Sequence, residues 1–305
     1  MAEEWLKSNP GKRPSTFARD EIDVRRRLLP PIGDRAIGTI TSTETQLLVN
    51  AWCEDAKPRT VARAFGTMRA IFNFAVDREL IGRSPCRGIK LPAVEPIERT
   101  LIDGEQLAKL ANELGPHGLM VYLGALLGLR WGEVAGLRVG RVDFDAATLT
   151  VSEQVTRGSD GGSALGPPKS HAGRRTLAIS AGLAELIRRH LDERGVAGDR
   201  KAFLFSDRCG FHLTYSNWLH RIWQPACKRA GLAGFSFHDL RRMNATGLVA
   251  EGVDVKTAQH RLGHSDPRLT LGIYAQVTTE GDRDAADRLA KRFLRATPTP
   301  PTRSL

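Results

Sequence analysis

The chain has 305 residues, a formal net charge of +11 and a pI of about 9.9. That length corresponds to about two domains of ordinary size; no apolar run reaches the ~18 residues of a membrane span, and the acidic opening Met1-Ala-Glu-Glu-Trp-Leu6 does not read as a signal peptide. Cys53, Cys86, Cys209 and Cys227 are scattered without a Cys-x-x-Cys pair, which argues against a disulfide framework or a thiolate zinc site and fits a reducing cytoplasm.

Residues 1–90 read as a helical domain. Pro14-Ser15 opens a helix that runs to about Arg25, and Leu29-Pro-Pro-Ile-Gly33 reads as its break. Thr41 and Glu44 have the spacing of a capping box ahead of a helix through Trp52. From Arg59 to Asp77, Val61, Phe65, Met68 and Phe72 form one apolar stripe. Arg59, Arg63 and Arg69 lie off that stripe, where they could face phosphates; a solvated face is equally compatible. Residues 83–100 combine prolines with positive charge, including Lys90, and lack helical period. They read as a stiff basic linker, with the domain boundary at 91–100.

Residues 101–295 read as a second, mixed domain. Helices are expected over Gly104–Leu114 and Leu119–Leu137. Thr148–Thr156 alternates at period two, Arg157–Gly162 is a loop, and Arg175–Ile179 is a returning strand after a turn region that holds Lys169. Further helices are expected near 181–194, 214–230, 238–251, 254–262 and 280–294. Residues 296–305 read as a disordered tail.

Several residue pairs here carry chemistry. Arg130 and Glu133 can share a helix face and pair, which taken alone is most often a structural clamp. His238 and Arg241 sit near the start of a helix, where an anion is already favoured. His260 and His264 have zinc-like spacing, but Arg261 stands where a metalloprotease needs Glu, and Gly263 should end the helix. Tyr274, one of three tyrosines with Tyr122 and Tyr215, follows His264 closely. The basic surplus is an electrostatic footprint for a polyanion, or simply an aid to solubility. Arginine dominates it, and the guanidinium fork suits phosphate.

Taken in order, Gly-Leu-Arg130-x-x-Glu133, Lys169, His238-x-x-Arg241, Leu-Gly-His264 and Tyr274 resemble the tyrosine recombinases, the phage-integrase family. The resemblance extends over roughly residues 1–290 and is strongest over 120–280. It implies that Tyr274 attacks a scissile phosphate to form a 3′-phosphotyrosyl link. It further implies that Arg130 and Arg241 hold the non-bridging oxygens, that His264 donates to the same phosphate, and that Lys169 protonates the leaving 5′-oxygen. His238 would assist as acid or base, and Glu133 would support Arg130. The physics is consistent with these roles. Fixed guanidinium donors stabilise the charge gathered in the transition state, and a proton donor to the alkoxide contributes on the order of 10²–10⁴ in rate. Arg242 and Met243 stand where family members often carry His-Thr.

The resulting expectation is a mainly α fold with a small antiparallel β-sheet: a helical core-binding domain (1–90), a linker (91–100), a catalytic domain (101–295) and a tail (296–305). The expected function is site-specific recombination of double-stranded DNA through a Holliday junction, with no metal, cofactor or ATP. The setting would be the bacterial cytoplasm, at the nucleoid, with no membrane involved. Four protomers would assemble on DNA, the last helix docking on a neighbour through Ala285, Leu289, Phe293 and Leu294. Accessory DNA-bending or directionality proteins are compatible partners. The chain opens on what resembles the first core-binding helix already under way, so an arm-binding module is expected to be absent. The rival readings are a catalytically silent DNA-binding relative and a relaxing enzyme of the type IB topoisomerase kind. Base contacts that would choose a DNA site, beyond Arg59, Arg63, Arg69 and Lys90 as candidates for the phosphates, are not legible.

Overall fold

The structure, a computed structural model, describes residues 1–95, 101–157, 162–168, 170–274 and 290. It divides into two compact units: Met1–Glu98 with Arg157–Gly162, and Arg99–Thr156 with Ser163–Leu305. The fold is mainly α with small antiparallel sheets, as the sequence pattern implies. No helix among the described residues is long and apolar enough to cross a membrane.

The first unit is helical: α1 (Ala2–Lys7), α2 (Pro14–Asp23), α3 (Leu29–Ile32), α4 (Ser42–Asp55) and α5 (Pro58–Asp77). The capping box before α4 is present, with the Glu44 amide donating to Thr41 and the Glu44 carboxylate accepting the Thr41 amide. Val61, Phe65, Met68 and Phe72 of α5 are buried against Val24, Leu28, Val49 and Trp52.

The prolines at 30 and 31 do not break the helix as their sequence suggests. The chain stays helical from Pro14 to Ile32 through a π turn at Val24–Leu28, in which the Leu29 amide reaches back to the Val24 carbonyl. A proline ring crowds the carbonyl four residues earlier and offers no donor to it. Widening the preceding turn relieves both problems. The same device recurs at Leu219–Trp223, just before Pro225, where the Gln224 amide donates to the Leu219 carbonyl.

The second unit opens with α6 (Gly104–Glu113), capped reciprocally by Asp103 and Gln106, and the apolar α7 (Gly118–Leu127). The single helix expected over 119–137 is interrupted. Gly128 takes a left-handed φ of 63° that closes α7, and a short α8 (Trp131–Ala135) restarts after Arg130. The strand expected over 148–156 is likewise split. β1 (Val142–Asp143), β2 (Thr148–Val151) and β5 (Arg175–Ala178) make one antiparallel sheet in the order β1-β2-β5; β3 (Gln154–Arg157) and β4 (Ser163–Gly166) make another. β4 was not anticipated, because Ser-Ala-Leu-Gly carries no strong strand signal.

The remaining helices are α9 (Ala181–Glu193), α10 (Tyr215–Trp218), α11 (Gln224–Arg229), α12 (Phe237–Ala250), α13 (Val255–Leu262) and α14 (Pro267–Tyr274). α14 lies outside the helices expected from sequence, although Pro267 at its first position is a helix-start signal. The helix expected over 280–294, with the docking positions assigned to it, lies outside the described residues except for Ala290, and so does the tail. α12 packs along α7, and both α12 and α13 carry α14. Leu123, Leu127, Leu149, Leu177, Trp218, Trp223 and Leu240 join in one core beneath these elements. The core therefore fixes three helix ends close together: the C-termini of α7 and α13 and the N-terminus of α12.

Candidate active site

Two left-handed glycines organise the site. Gly128 caps α7 and Gly263, with φ 61°, caps α13. A Cβ on Gly128 would meet Asn244 Oδ1 at 2.7 Å, and one on Gly263 would meet an Arg175 guanidinium nitrogen at 2.9 Å. The carbonyls at these helix ends need donors, and guanidinium groups supply them. Arg241 donates to the carbonyl of Gly128 at 2.5 Å and to that of Leu262. Arg130 donates to the carbonyl of Gly263 at 3.3 Å. Cations are favoured at the negative ends of helix dipoles.

Beneath them lies Glu133. Its carboxylate accepts from the Arg130 amide at 2.9 Å and the Arg130 side chain at 2.8 Å. Arg175 adds two bonds at 3.1 and 3.0 Å. The side chains of Glu133 and Arg175 are 1 % and 0 % exposed, whereas that of Arg130 is 37 % exposed. Burial alone would raise the Glu133 pKa; the hydrogen bonds and charge of Arg175, with the charge of Arg130, outweigh it and hold the carboxyl below its usual range. Arg175 also donates to the carbonyls of Arg261 and Gly173, which ties the β-sheet to the end of α13. Burial first, then the neighbouring Arg130, draws the Arg241 pKa down to about 9, so the side chain stays protonated at neutral pH.

The capping box of Ser236 and Asp239 fixes the start of α12, which carries His238 and Arg241. His264 sits in the turn between α13 and α14. Its backbone is clipped by Gln259, whose carbonyl accepts from the His264 amide and whose side chain donates to the His264 carbonyl. Its Nδ1 lies 2.9 Å from the hydroxyl of Thr270, a residue 1 % exposed. Burial, then Arg241, Arg130 and Arg175, pull the His264 pKa down to about 4. His238 is lowered too, by burial and then by Arg241. Both imidazoles are therefore neutral at pH 7.

This has a consequence for stability. An unfolded histidine titrates near 6.5, so between about pH 6.5 and 4 the unfolded chain binds the extra proton and folding weakens as pH falls. His117 and His190, also lowered mainly by burial, add to the same trend. Thermal melts should show Tm declining from pH 7 to 5, with a shallower slope in His264→Gln; an unchanged slope would remove His264 from this linkage.

The site thus clusters protonated guanidinium groups and neutral imidazoles around a half-open Arg130, an arrangement built to hold an anion with oxygen acceptors. Residues 103–280 match the phage integrase family. The chain belongs to that family. Its members are tyrosine recombinases, enzymes of DNA strand cleavage and rejoining. Among curated relatives of this phage integrase family member, a tyrosine recombinase XerC-like protein of Caldanaerobacter subterraneus is 28% identical, covering 93% of this chain and 79% of the relative. The integrase of Mycobacterium phage L5 is 29% identical, covering 88% of this chain and 73% of its own. Among solved structures, the Tn1549 transposon integrase with a circular intermediate DNA shares the fold at a TM-score of 0.81 and 21% identity, covering 95% of this chain and 98% of that one.

Of the site residues expected from sequence, Arg130, Glu133, His238, Arg241 and His264 come together. Lys169 lies outside the described residues. Tyr274 ends α14, on a helix packed against α12 and α13; its side chain lies outside the described residues. The other candidates belong to the first unit. Arg59 and Arg69 are exposed, Arg69 with its guanidinium 5.8 Å from the Phe65 ring centroid. Lys90 is exposed, its backbone clipped by the Gln46 side chain. Arg63 differs from its reading as a free surface cation: it makes a bidentate bond at 3.0 and 2.8 Å to the buried Asp23. Sequence reasoning passed over Arg175 and Thr270. For Arg175 the signal was there, since the alternation of β5 turns it to the same buried side as Leu177, and a buried arginine requires a carboxylate.

Proposed function

We propose that this chain is a site-specific DNA recombinase that breaks and rejoins duplex DNA through a 3′-phosphotyrosyl intermediate. The observation that carries the reading is the guanidinium cluster held by Glu133 and the helix-end carbonyls, in a chain of the phage integrase family. Arg130 and Arg241 would bind the non-bridging oxygens of the scissile phosphate, and neutral His264 would donate a third hydrogen bond. Tyr274 Oη attacks phosphorus, the bond to the 5′-oxygen breaks, and Lys169 gives that oxygen its proton. Neutral His238 is suited to take up the phenol proton. Rejoining reverses these steps with a 5′-hydroxyl from the partner duplex, passing through a Holliday junction.

The tyrosyl ester conserves the energy of the broken bond, so no ATP is needed. Preorganised cations do the work that a divalent ion performs elsewhere. The first unit would act as the core-binding domain, with 91–100 as linker and the second unit as catalytic domain. Arg59, Arg69 and Lys90 are the better-placed candidates there for backbone phosphates, contacts that make affinity salt-dependent. A tetramer on DNA, in the bacterial cytoplasm, completes the proposal. Related structures hold circular intermediate DNA, transposon right end DNA and a core site, which supports a duplex substrate here.

The test uses nicked suicide duplexes cut from the DNA flanking the gene. A covalent protein–DNA adduct should form in excess EDTA without nucleotide. Adduct formation that is lost in EDTA and restored by Mg²⁺ would overturn the metal-free scheme. Plasmid relaxation without exchange between two sites would point to a topoisomerase instead.

A further inference from the structure

A neutral imidazole carries one proton, so only one of its two nitrogens can donate. The proposed role of His264 requires that nitrogen to be Nε2, because Nδ1 is turned to Thr270 at 2.9 Å. Thr270 lies on α14 and is 1 % exposed. A helical threonine commonly turns its hydroxyl back to a carbonyl in the preceding turn. Here, among the described residues, the only hydrogen-bond partner of the Thr270 hydroxyl is His264 Nδ1. A hydroxyl can donate or accept. If it donates to Nδ1, both groups are satisfied and the proton is left on Nε2. If it accepts from Nδ1–H, the buried hydroxyl proton has no acceptor among the described residues, and such burial is costly.

We infer that Thr270 is a positioning residue for the reaction: its hydroxyl donates to His264 Nδ1 and so fixes both the ring plane and the Nε2–H tautomer that can donate to a phosphate. The backbone clip from Gln259 holds the other end of the same residue. With the backbone and Nδ1 both fixed, Nε2 has one direction open to it. α14 also ends at Tyr274, so the group that sets the imidazole travels on the same helix as the nucleophile. Docking of that helix on α12 and α13 would bring both into place in one step. This inference rests on the phosphate-binding role proposed for His264, and its test separates the two.

The test compares wild type, Thr270→Val, which keeps shape and loses the hydroxyl, and Thr270→Ser, which keeps the hydroxyl. In protein with ¹⁵N-labelled histidine, two-dimensional NMR should show wild-type His264 neutral, protonated at Nε2, with Nδ1 as a hydrogen-bonded acceptor. In Thr270→Val the Nδ1 signal should move to that of an unbonded acceptor. Adduct formation on the suicide duplex should fall about tenfold, in keeping with one lost neutral hydrogen bond, at unchanged DNA affinity. Thr270→Ser should restore both readouts. A wild-type His264 protonated at Nδ1, or an Nδ1 signal indifferent to Thr270→Val, would overturn the inference. A shifted Nδ1 signal with undiminished cleavage would uphold the hydroxyl–imidazole bond and overturn the role of His264 at the phosphate.

Discussion

Tyr274→Phe is expected to abolish covalent adduct formation altogether while leaving DNA affinity essentially unchanged. The substitution removes one oxygen. That oxygen is the proposed nucleophile, so cleavage should fall below detection rather than by a modest factor. Binding should survive, because the proposed phosphate contacts come from Arg130, Arg241 and the cations of the first unit, and backbone contacts dominate affinity. Gel shifts and suicide-substrate trapping on the same preparation measure the two quantities. Residual adduct at the wild-type position would mean that another side chain attacks.

Glu133→Ala should be the most damaging change for the structure of the site. Glu133 accepts four hydrogen bonds from Arg130 and Arg175, and its removal strands the wholly buried Arg175 guanidinium. Breaking a buried ion pair on one side costs about 3–5 kcal/mol. For a unit of this size that corresponds to a Tm loss of about 10 °C. Cleavage should fall further than stability explains, on the order of 10²-fold, because Arg130 loses the group that aims it. Glu133→Gln keeps the shape without the charge and should lie between the two. A Glu133→Ala protein with wild-type Tm and cleavage would show that Arg130 is held by the Gly263 carbonyl alone.

Local signals in the chain carried much of this architecture. The Thr41–Glu44 capping box, the apolar stripe of α5 and the stop at Gly263 each act within one or two turns of backbone, and each is found where the pattern put it. What escaped depends on partners distant in sequence. Nothing near Arg63 announces that Asp23 will take up its charge. The fork of Arg175 is defined only when β5 pairs with β2, with Arg175 opposite Val151, and brings it onto Glu133. Pro30 and Pro31 read as a break because a π turn is not a local preference; the burial of Val24 and Leu28 within the turn itself sustains it. The candidate cluster is legible as an ordered set of motifs, yet its mutual geometry rests on two left-handed glycines whose carbonyls receive Arg241 and Arg130. Residue types in order therefore point to the candidate residues, while the support beneath them is defined only by the fold.

The tyrosine at the end of α14 is proposed to become joined to the 3′ side of a broken DNA strand. The most direct measurement is mass spectrometry of the wild-type adduct, trapped on a nicked duplex in EDTA and digested with protease and nuclease. A single nucleotide remnant is expected on the peptide containing Tyr274, attached through a 3′-phosphate. A remnant on Tyr122, Tyr215 or a non-tyrosine residue, or one linked through a 5′-phosphate, would contradict it.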